Sequence, residues 1–571
     1  MFNRLKAVRA IAAAAAVAML GSLAVTAPAM AEETVTPLTP DATGTITIDN
    51  VEAGVHATAY KIAKVNVDGK TNTPLDPEFT WDESVASWVR AKYRSYISDA
   101  NAVSDVFQQM PSDTDGLEKT EDGQNTGNAT KLATFYDDLT SAIANGDTPA
   151  TPDAAEQTAT GDTLTFENLP LGDYLVLLKN TDTGDSLTNG TTVYRPIGVA
   201  IQPEWNEKTK VWTVKNATAT AKRSNASIDK SINEDAKDHI SGEDAKDAGS
   251  DTVAIGDEVT FDLRSDVPVF PANAVEKNYM IADAMGTELT LNEGSIKVWG
   301  YEGAKFGNAH DEDTPVPADA YTLTVNGKDL DGKDATFTLN FDYEKIRKWD
   351  YIHVQYTATV NENAKVDTAI DNTAKLQYTN NPYEQDSHTT IPDKVKVYTY
   401  GIKVLKVGVV DGVEKGALTG AEFSLRVNDK SAPIAFVKVG DAKDGHYRKA
   451  TAEDKAESTV TNLVVGETED TKGRLTLDGL DKGKYQLVEE KAPADYNKLS
   501  APIDVTIEAE RDRGEFTGKV VNQTSGYWDG TVTNRKGRLP NTGSIGTTVF
   551  TVGGILLVAA GISIVARKRR S

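Results

Sequence analysis

Cysteine is absent from all 571 residues, so no disulfide braces any part of the chain. Exported proteins of this size often use such bridges where the compartment allows them; this chain does without them or staples itself by other chemistry. Histidine is scarce. The six present (His56, His239, His310, His353, His388 and His446) are scattered without metal-ligand spacing, and no metal or cofactor is expected. No phosphate-cradling glycine loop and no Gly-x-Ser-x-Gly nucleophile turn occurs, so nothing marks a turnover enzyme. Basic residues are also in deficit, 60 Lys and Arg against 85 Asp and Glu. That balance argues against nucleic acid, whose binders need positive patches. What is plentiful is apolar material: 39% hydrophobic residues are enough for real cores and too many for a disordered stalk.

The two ends are built for export. Arg4, Lys6 and Arg9 precede an apolar run over 11–20, and Ala29-Met30-Ala31 is a small-x-small cleavage site, so 1–31 reads as a signal peptide. Near the other end stands Leu539-Pro540-Asn541-Thr542-Gly543, followed by an apolar stretch over 547–566 and then Arg567-Lys568-Arg569-Arg570. The stretch is long enough to span a hydrocarbon core as a helix, and the basic tail stays on the cytoplasmic side. In this order the three parts resemble the cell-wall sorting signal of Gram-positive surface proteins. The resemblance implies that a sortase cleaves between Thr542 and Gly543 and joins Thr542 to an amine acceptor, ultimately on peptidoglycan. The processed ends hold seven of the basic residues and no acidic one, which leaves 53 against 85, a balance of −32 for residues 32–542. So acidic a surface suits a soluble, self-repelling extracellular protein.

Between those ends the pattern is mainly β after an α+β N-terminal domain. Strand-like alternation occupies 45–48 and 56–65, then two helical faces appear: Val85, Trp88, Val89, Tyr96 and Ile97, and Leu132, Phe135, Tyr136, Leu139 and Ile143. Acidic loops are expected over 111–130 and 145–162, with strands at 163–166, 174–179, 194–202 and 210–215. A second unit begins near Lys222, with strands at 257–263, 322–325, 336–341, 351–360 and 372–378, an exposed acidic loop over 234–251, and turns at Asn326-Gly327 and Asp331-Gly332. The run of acids from Asp329 to Asp334 fails the calcium-loop pattern and reads as a turn. Many short strands without helical periodicity indicate immunoglobulin-like β-sandwiches in tandem. The expected division is 1–31 signal peptide, 32–221 N-terminal domain, 222–397 and 398–536 sandwich domains, and 537–571 wall anchor.

The third unit carries the most specific pattern. Ile402-Lys403-Val404-Leu405-Lys406-Val407 opens it, Leu418-Thr419-Gly420-Ala421-Glu422-Phe423-Ser424-Leu425 follows, and Tyr485-Gln486-Leu487-Val488-Glu489-Glu490-Lys491-Ala492-Pro493 with Tyr496 comes near its end. These residues resemble the collagen-adhesin B-type domains of Gram-positive surface proteins. The resemblance implies an intramolecular isopeptide bond between Lys406 and Asn534, promoted by Glu489, with Asn522 as the alternative asparagine. Family members usually have threonine after the glutamate, where Glu490 stands here. Glu489 is preferred because it shares a strand face with Tyr485 and Leu487. Burial would lower the lysine pKa and raise that of the acid, and contact between amine and amide would supply a large effective molarity.

The second unit opens on Ser227-Ile228-Asp229-Lys230-Ser231-Ile232 and closes on 372–382. It resembles the fimbrial isopeptide-forming domain of sortase-assembled pilins, with Tyr279-Met280-Ile281-Ala282-Asp283-Ala284-Met285 as the segment carrying the catalytic aspartate. That likeness implies a Lys230–Asn380 bond promoted by Asp283, with Asp262 as the fallback acid. Asn380 is chosen over Asn381 because it shares a face with Ala374, Leu376 and Tyr378.

Backbone pilins of this kind carry a lysine for linkage between subunits. Here the junction runs from Trp212 through Lys215 to Lys222, a departure from the family's spacing and without its Tyr-Pro pair, and Lys222 is the expected acceptor with Lys215 behind it. The whole resembles a Gram-positive sortase-assembled pilin. The expected partners are sortase, other subunits in a covalent homopolymer, and peptidoglycan. The rival expectation is a monomeric, wall-anchored adhesin whose receptor on host matrix or glycan the residues do not name.

Overall fold

The computed structural model describes residues 36–110, 117–119, 125–179, 192–233, 249–271, 274–302, 314–383, 385–428 and 430–536. The signal peptide, the sorting pentapeptide and the apolar stretch expected over 547–566 lie outside them. Among the described residues no helix is long and apolar enough to cross a membrane.

The N-terminal unit is three layers deep because one sheet is apolar on both faces. Its strands run in the order Val211–Lys215, Ile197–Asn206, Gly172–Lys179, His56–Asp68, Thr73–Trp81. In the central strand Tyr174, Leu175 and Val176 are all fully buried, which alternation permits only if each face has a cover. Tyr174 and Val176 meet Ile46, Ile48, Leu164 and Phe166 of a small sheet formed by Thr43–Asp49, Thr163–Pro170 and Ala217–Thr220. Leu175 faces the opposite way, onto helices Glu83–Lys92 and Lys131–Ala144. Strand His56–Asp68 serves both layers through a register shift between Lys61 and Ala63, which buries Ile62 and Ala63 together.

Both helices start on side-chain caps, Asp82 accepting from Ser84 N and Thr130 from Ala133 N. The first helix is shorter than its periodicity suggests: it ends at Lys92, Tyr93 leaves helical geometry (φ −126°, ψ 52°), and Tyr96 is placed by a separate 3-10 turn. The break lets Tyr93, Tyr96, Trp81 and Phe107 all pack on Phe135. The expected loop over 111–130 contains a two-stranded ribbon, Leu117–Lys119 with Asn125–Ala129.

The middle unit is a sandwich. One sheet runs Ile228–Asn233, Glu258–Asp266, Tyr351–Val360, Lys297–Tyr301, Thr314–Pro315. The other runs Ser250–Thr252, Thr389–Tyr398, Ile370–Tyr378, Tyr279–Met285, Phe337–Phe341, Tyr321–Val325. Phe261, Tyr279, Ile281, Phe337, Tyr356 and Leu376 fill the space between them. The end of the expected acidic loop is in fact structural: Ser250, Asp251 and Thr252 form a buried strand parallel to Thr389–Tyr398. Sheet pairing outweighs local acidity at these three residues.

The C-terminal unit is also two sheets. Tyr400–Val410 lies between Arg474–Leu480 and, in parallel, Tyr527–Arg535, so the opening and closing strands are side by side. The opposing sheet contains Leu463–Val464, Glu422–Arg426, Gly483–Lys491 and Ile503–Ile507. Truncating the ring shared by the N-terminal aromatic cluster, Phe135→Ala, should destabilise that unit by about 3–5 kcal/mol, read as an earlier urea midpoint in Trp81 fluorescence with the two sandwiches unchanged.

Candidate functional site

Strand alternation places a lysine in each sandwich core. In Tyr400–Val410 the inward positions are Tyr400, Ile402, Val404 and then Lys406, which is 0% exposed. In Gly483–Lys491 the inward series is Tyr485, Leu487 and Glu489, and in the closing strand Val532 is followed by Asn534. Each polar residue thus continues an apolar stripe, and the three stripes converge. Lys406 Nζ lies 2.9 Å from Glu489 Oε1 and 5.5 Å from the centre of the Phe423 ring. Asn534 Nδ2 donates to the other carboxylate oxygen, Oε2, at 2.9 Å, and to Asn497 O at 2.6 Å. Leu499 N also donates to Oε2, at 2.8 Å. One carboxylate therefore touches both the amine and the carboxamide. Gly408, paired with Asn534 across the strands, leaves room for the Tyr496 ring, which a Cβ there would strike at 2.5 Å. Asn522, the alternative asparagine, sits in a turn at φ 63°, outside this cluster.

The middle unit builds a related cluster. Lys230 Nζ is paired with Asp283 Oδ2 and donates to Tyr356 Oη at 2.6 Å. Rings of Phe261 and Tyr356 flank it at 5.2 and 5.1 Å. The carboxamide brought to this group is Asn372, whose Nδ2 donates to the same Tyr356 Oη at 2.8 Å. Lys230, Asp283 and Asn372 are all buried.

Asn380, the expected partner, is elsewhere. Asp283 is level with Ala374, and Lys230 N is held at 2.6 Å by Asp393, itself opposite Ala374. Asn380 lies six residues beyond that level, roughly 20 Å along the strand, and accepts from Ser387 Oγ at 2.6 Å. Asn372 and Asn380 share parity in sequence, but the strand spans Ile370–Tyr378, so Asn372 lies on it and Asn380 past its end. The fallback acid Asp262 is engaged with His353 Nε2 at 2.7 Å and Gln355 Nε2 at 3.1 Å.

Burial sets the protonation chemistry. It pulls the ammonium of Lys230 and of Lys406 below the ordinary lysine value, and pushes the Asp283 carboxyl above its ordinary one. In the Lys230–Asp283 pair both shifts favour passing the proton from nitrogen to oxygen, which frees the amine lone pair. Asn372 Oδ1, Asn534 Oδ1 and Asp283 Oδ1 are buried without a hydrogen-bond partner among the described residues. Such orphans each cost about 1–3 kcal/mol, and here they gather where an amine meets an amide.

The junction lysines are differently placed. Lys215 is exposed at the end of Val211–Lys215 and 3.1 Å from Glu204. Lys222 is half-buried just before strand Arg223–Asn225, and its carbonyl accepts from Arg195 N at 3.0 Å. The acids of 329–334 pair with bases: Asp329 with Lys375, Asp331 with His388, and Asp334 with Lys328.

Comparison with known proteins agrees with this architecture. Residues 402–522 match a prealbumin-like fold domain, residues 255–382 a Gram-positive pilin backbone subunit, Cna-B-like domain, and residues 531–571 the LPXTG cell wall anchor motif. The trypsin-resistant surface T6 protein of Streptococcus pyogenes is 25% identical, covering 94% of this chain and 97% of that protein. Fimbrial subunit type 1 of Actinomyces viscosus is 26% identical over 58% of this chain and 65% of that protein. The solved T6 backbone pilin of Streptococcus pyogenes, described as having a modular three-domain structure, superposes with a TM-score of 0.50 at 18% identity, covering 87% of this chain and 99% of that one. The fold and the matched regions define a modular, mainly β surface protein anchored to a Gram-positive cell wall. Within that class the chain is similar to pilin and fimbrial subunits.

The geometry puts Asn372, and not Asn380, beside the Lys230 amine, which sets the prediction for a cross-link in this unit. Peptide mapping of the wild-type chain should find the Lys230 peptide joined to the Asn372 peptide; Asn372→Ala should abolish the joined species, whereas Asn380→Ala should leave it intact. Loss of the link should also destabilise the middle unit by about 4–5 kcal/mol, the magnitude for closing a loop of more than 100 residues.

Proposed function

We infer that the chain is a structural subunit of a covalently polymerised, cell-wall-anchored pilus, stiffened internally by Lys–Asn isopeptide bonds and supporting adhesion. The observation that carries this reading is the carboxylate of Glu489, in contact with Lys406 Nζ and with Asn534 Nδ2 at once. In the proposed reaction the neutral Lys406 amine attacks Cγ of Asn534. Glu489 takes the proton from nitrogen and returns it to the departing amide nitrogen. A C–N bond forms, a C–N bond breaks, and ammonia leaves. Asp283 does the same between Lys230 and Asn372, with Tyr356 holding both nitrogens on one oxygen. Each reaction occurs once per chain, so the chain matures itself without being a turnover enzyme.

The two links would run from the opening strand of each proposed sandwich domain, 222–397 and 398–536, to Ile370–Tyr378 in the first and to the closing strand Tyr527–Arg535 in the second, so that tension bypasses the chain between the linked residues through a covalent bond. The acceptor for the preceding subunit's Thr542 is assigned to Lys222. It follows Ala217–Thr220, the strand paired in parallel with Thr43–Asp49, which gives its backbone a fixed mount. Lys215, on an edge and engaged with Glu204, is the second candidate. A sortase would supply the acyl-enzyme, since the chain's own part is the pentapeptide Leu539 to Gly543 and the lysine.

Wall extracts boiled in SDS should show a ladder of high-mass species in the wild type and only monomer in Lys222→Ala. A ladder that persists in the mutant would move the acceptor to Lys215. A single wall-bound band in the wild type would overturn polymerisation and leave the monomeric adhesin.

A further inference from the structure

The two lysine clusters share one arrangement: a nucleophile and a carboxamide held close by the same polar group. It recurs a third time, with a hydroxyl as nucleophile, on the outer face of the middle sandwich. Gln377 and Thr390 are direct partners across strands Ile370–Tyr378 and Thr389–Tyr398. Gln377 is fully buried although it points away from the core, because the turn at 329–332 lies over it. Its Nε2 donates to Thr390 Oγ1 at 3.1 Å and to Asp331 Oδ2 at 3.1 Å. Thr390 Oγ1 donates to that same Asp331 Oδ2 at 3.3 Å. On the far side of the carboxylate, His388 Nε2 sits 3.0 Å from Oδ1. The carboxamide oxygen, Gln377 Oε1, accepts from Leu330 N at 2.7 Å.

The groups an acyl transfer needs are gathered here. A backbone N–H is aimed at the oxygen that would carry negative charge. A carboxylate touches both the proton to be removed and the nitrogen that must leave. The hydrogen bond from His388 holds the Asp331 carboxyl below its ordinary value, so it is ionised and able to accept that proton. The hydroxyl is held beside the amide by the strand register, which supplies the proximity. This site is separate from the lysine clusters: Gln377 faces opposite to Asn372, Ala374 and Leu376 on the strand.

We propose that Thr390 and Gln377 form an intramolecular ester cross-link, with Asp331 as the proton shuttle and His388 orienting it. The Thr390 hydroxyl gives its proton to Asp331 and its Oγ1 adds to Cδ of Gln377. The resulting oxyanion is held by Leu330 N–H. Asp331 returns the proton to Nε2, the C–N bond breaks, and ammonia departs into water, where it is protonated. No other reactant is needed.

The link would close residues 378–389 into a ring. Tyr383 lies in this ring, and its hydroxyl is 3.5 Å from Asp137 on helix Lys131–Ala144. Asp137 in turn pairs with buried Arg195 at 3.0 Å, whose own N–H binds the carbonyl of Lys222. The ester would therefore pin one of the segments through which the middle unit meets the N-terminal unit, beside the proposed acceptor lysine.

The test is independent of the Lys–Asn links, because Gln377 and Thr390 fall in one tryptic peptide, residues 376–394. From the full chain isolated from cells, that peptide should be lighter by one ammonia and should give no backbone fragments between 377 and 390. Neutral hydroxylamine should open it to a Gln377 hydroxamate. Thr390→Ser should keep the loss and Thr390→Val should abolish it. An unshifted wild-type peptide overturns the proposal and needs no variant. So does an ammonia loss that persists in Thr390→Val with complete fragmentation, which would place it at Asn380 as a succinimide.

Discussion

A lysine ammonium buried among aromatic rings is the constraint on which this molecule turns. Taking a charge of that size out of water costs several kcal/mol even after relaxation, and the chain incurs the cost twice, at Lys230 and Lys406. Neither site is a good stabiliser while it remains an ion pair, since well-packed apolar residues of similar volume would do as well or better. The arrangement becomes favourable once the charges are removed by reaction. Burial supplies that route, because it weakens the ammonium in both clusters and, around Lys230, pushes the Asp283 carboxyl toward its neutral form. A chain with no cysteine thus has residues in place for cross-links that no reductant could open.

The rest of the architecture follows from bringing three distant segments to one point. In the C-terminal sandwich the first and last strands run parallel and adjacent, so Lys406 and Asn534 come within reach of Glu489 from the facing sheet. In the middle sandwich the opening strand lies on the sheet edge beside Glu258–Asp266, and Lys230 crosses to Asp283 and Tyr356. Among the described residues the N-terminal unit has no such pair. Its deepest charged contact is Arg195–Asp137, and its stability comes from a sheet apolar on both faces.

Much of this was legible in the residues. Tyr485, Leu487 and Glu489 declare a single face by parity, and Lys406 extends the stripe of Ile402 and Val404, so the C-terminal cluster could be written down residue by residue. In the middle unit the lysine and the acid were legible for the same reason. The asparagine was not, because Asn372 and Asn380 have equal parity and only the level of the opening strand against Ile370–Tyr378 separates them. That level is a long-range property, fixed by Asp393 holding Lys230 N, and no local pattern encodes it. Tyr356 was missed likewise: it reads as one more core aromatic until its hydroxyl is seen between two nitrogens. The early end of the first helix, and the burial of Ser250 to Thr252, are further cases in which tertiary packing overrides local periodicity or charge.

The central claim is that force passing along the chain crosses covalent bonds in both sandwiches. Pulling single molecules of the exported chain by their ends tests it most directly. If Lys230–Asn372 and Lys406–Asn534 are bonded, the unfolding trace lengthens only by the N-terminal unit and the short segments outside the links. Two further extensions of roughly 400–500 Å each, the length of chain each link would otherwise release, would contradict the account.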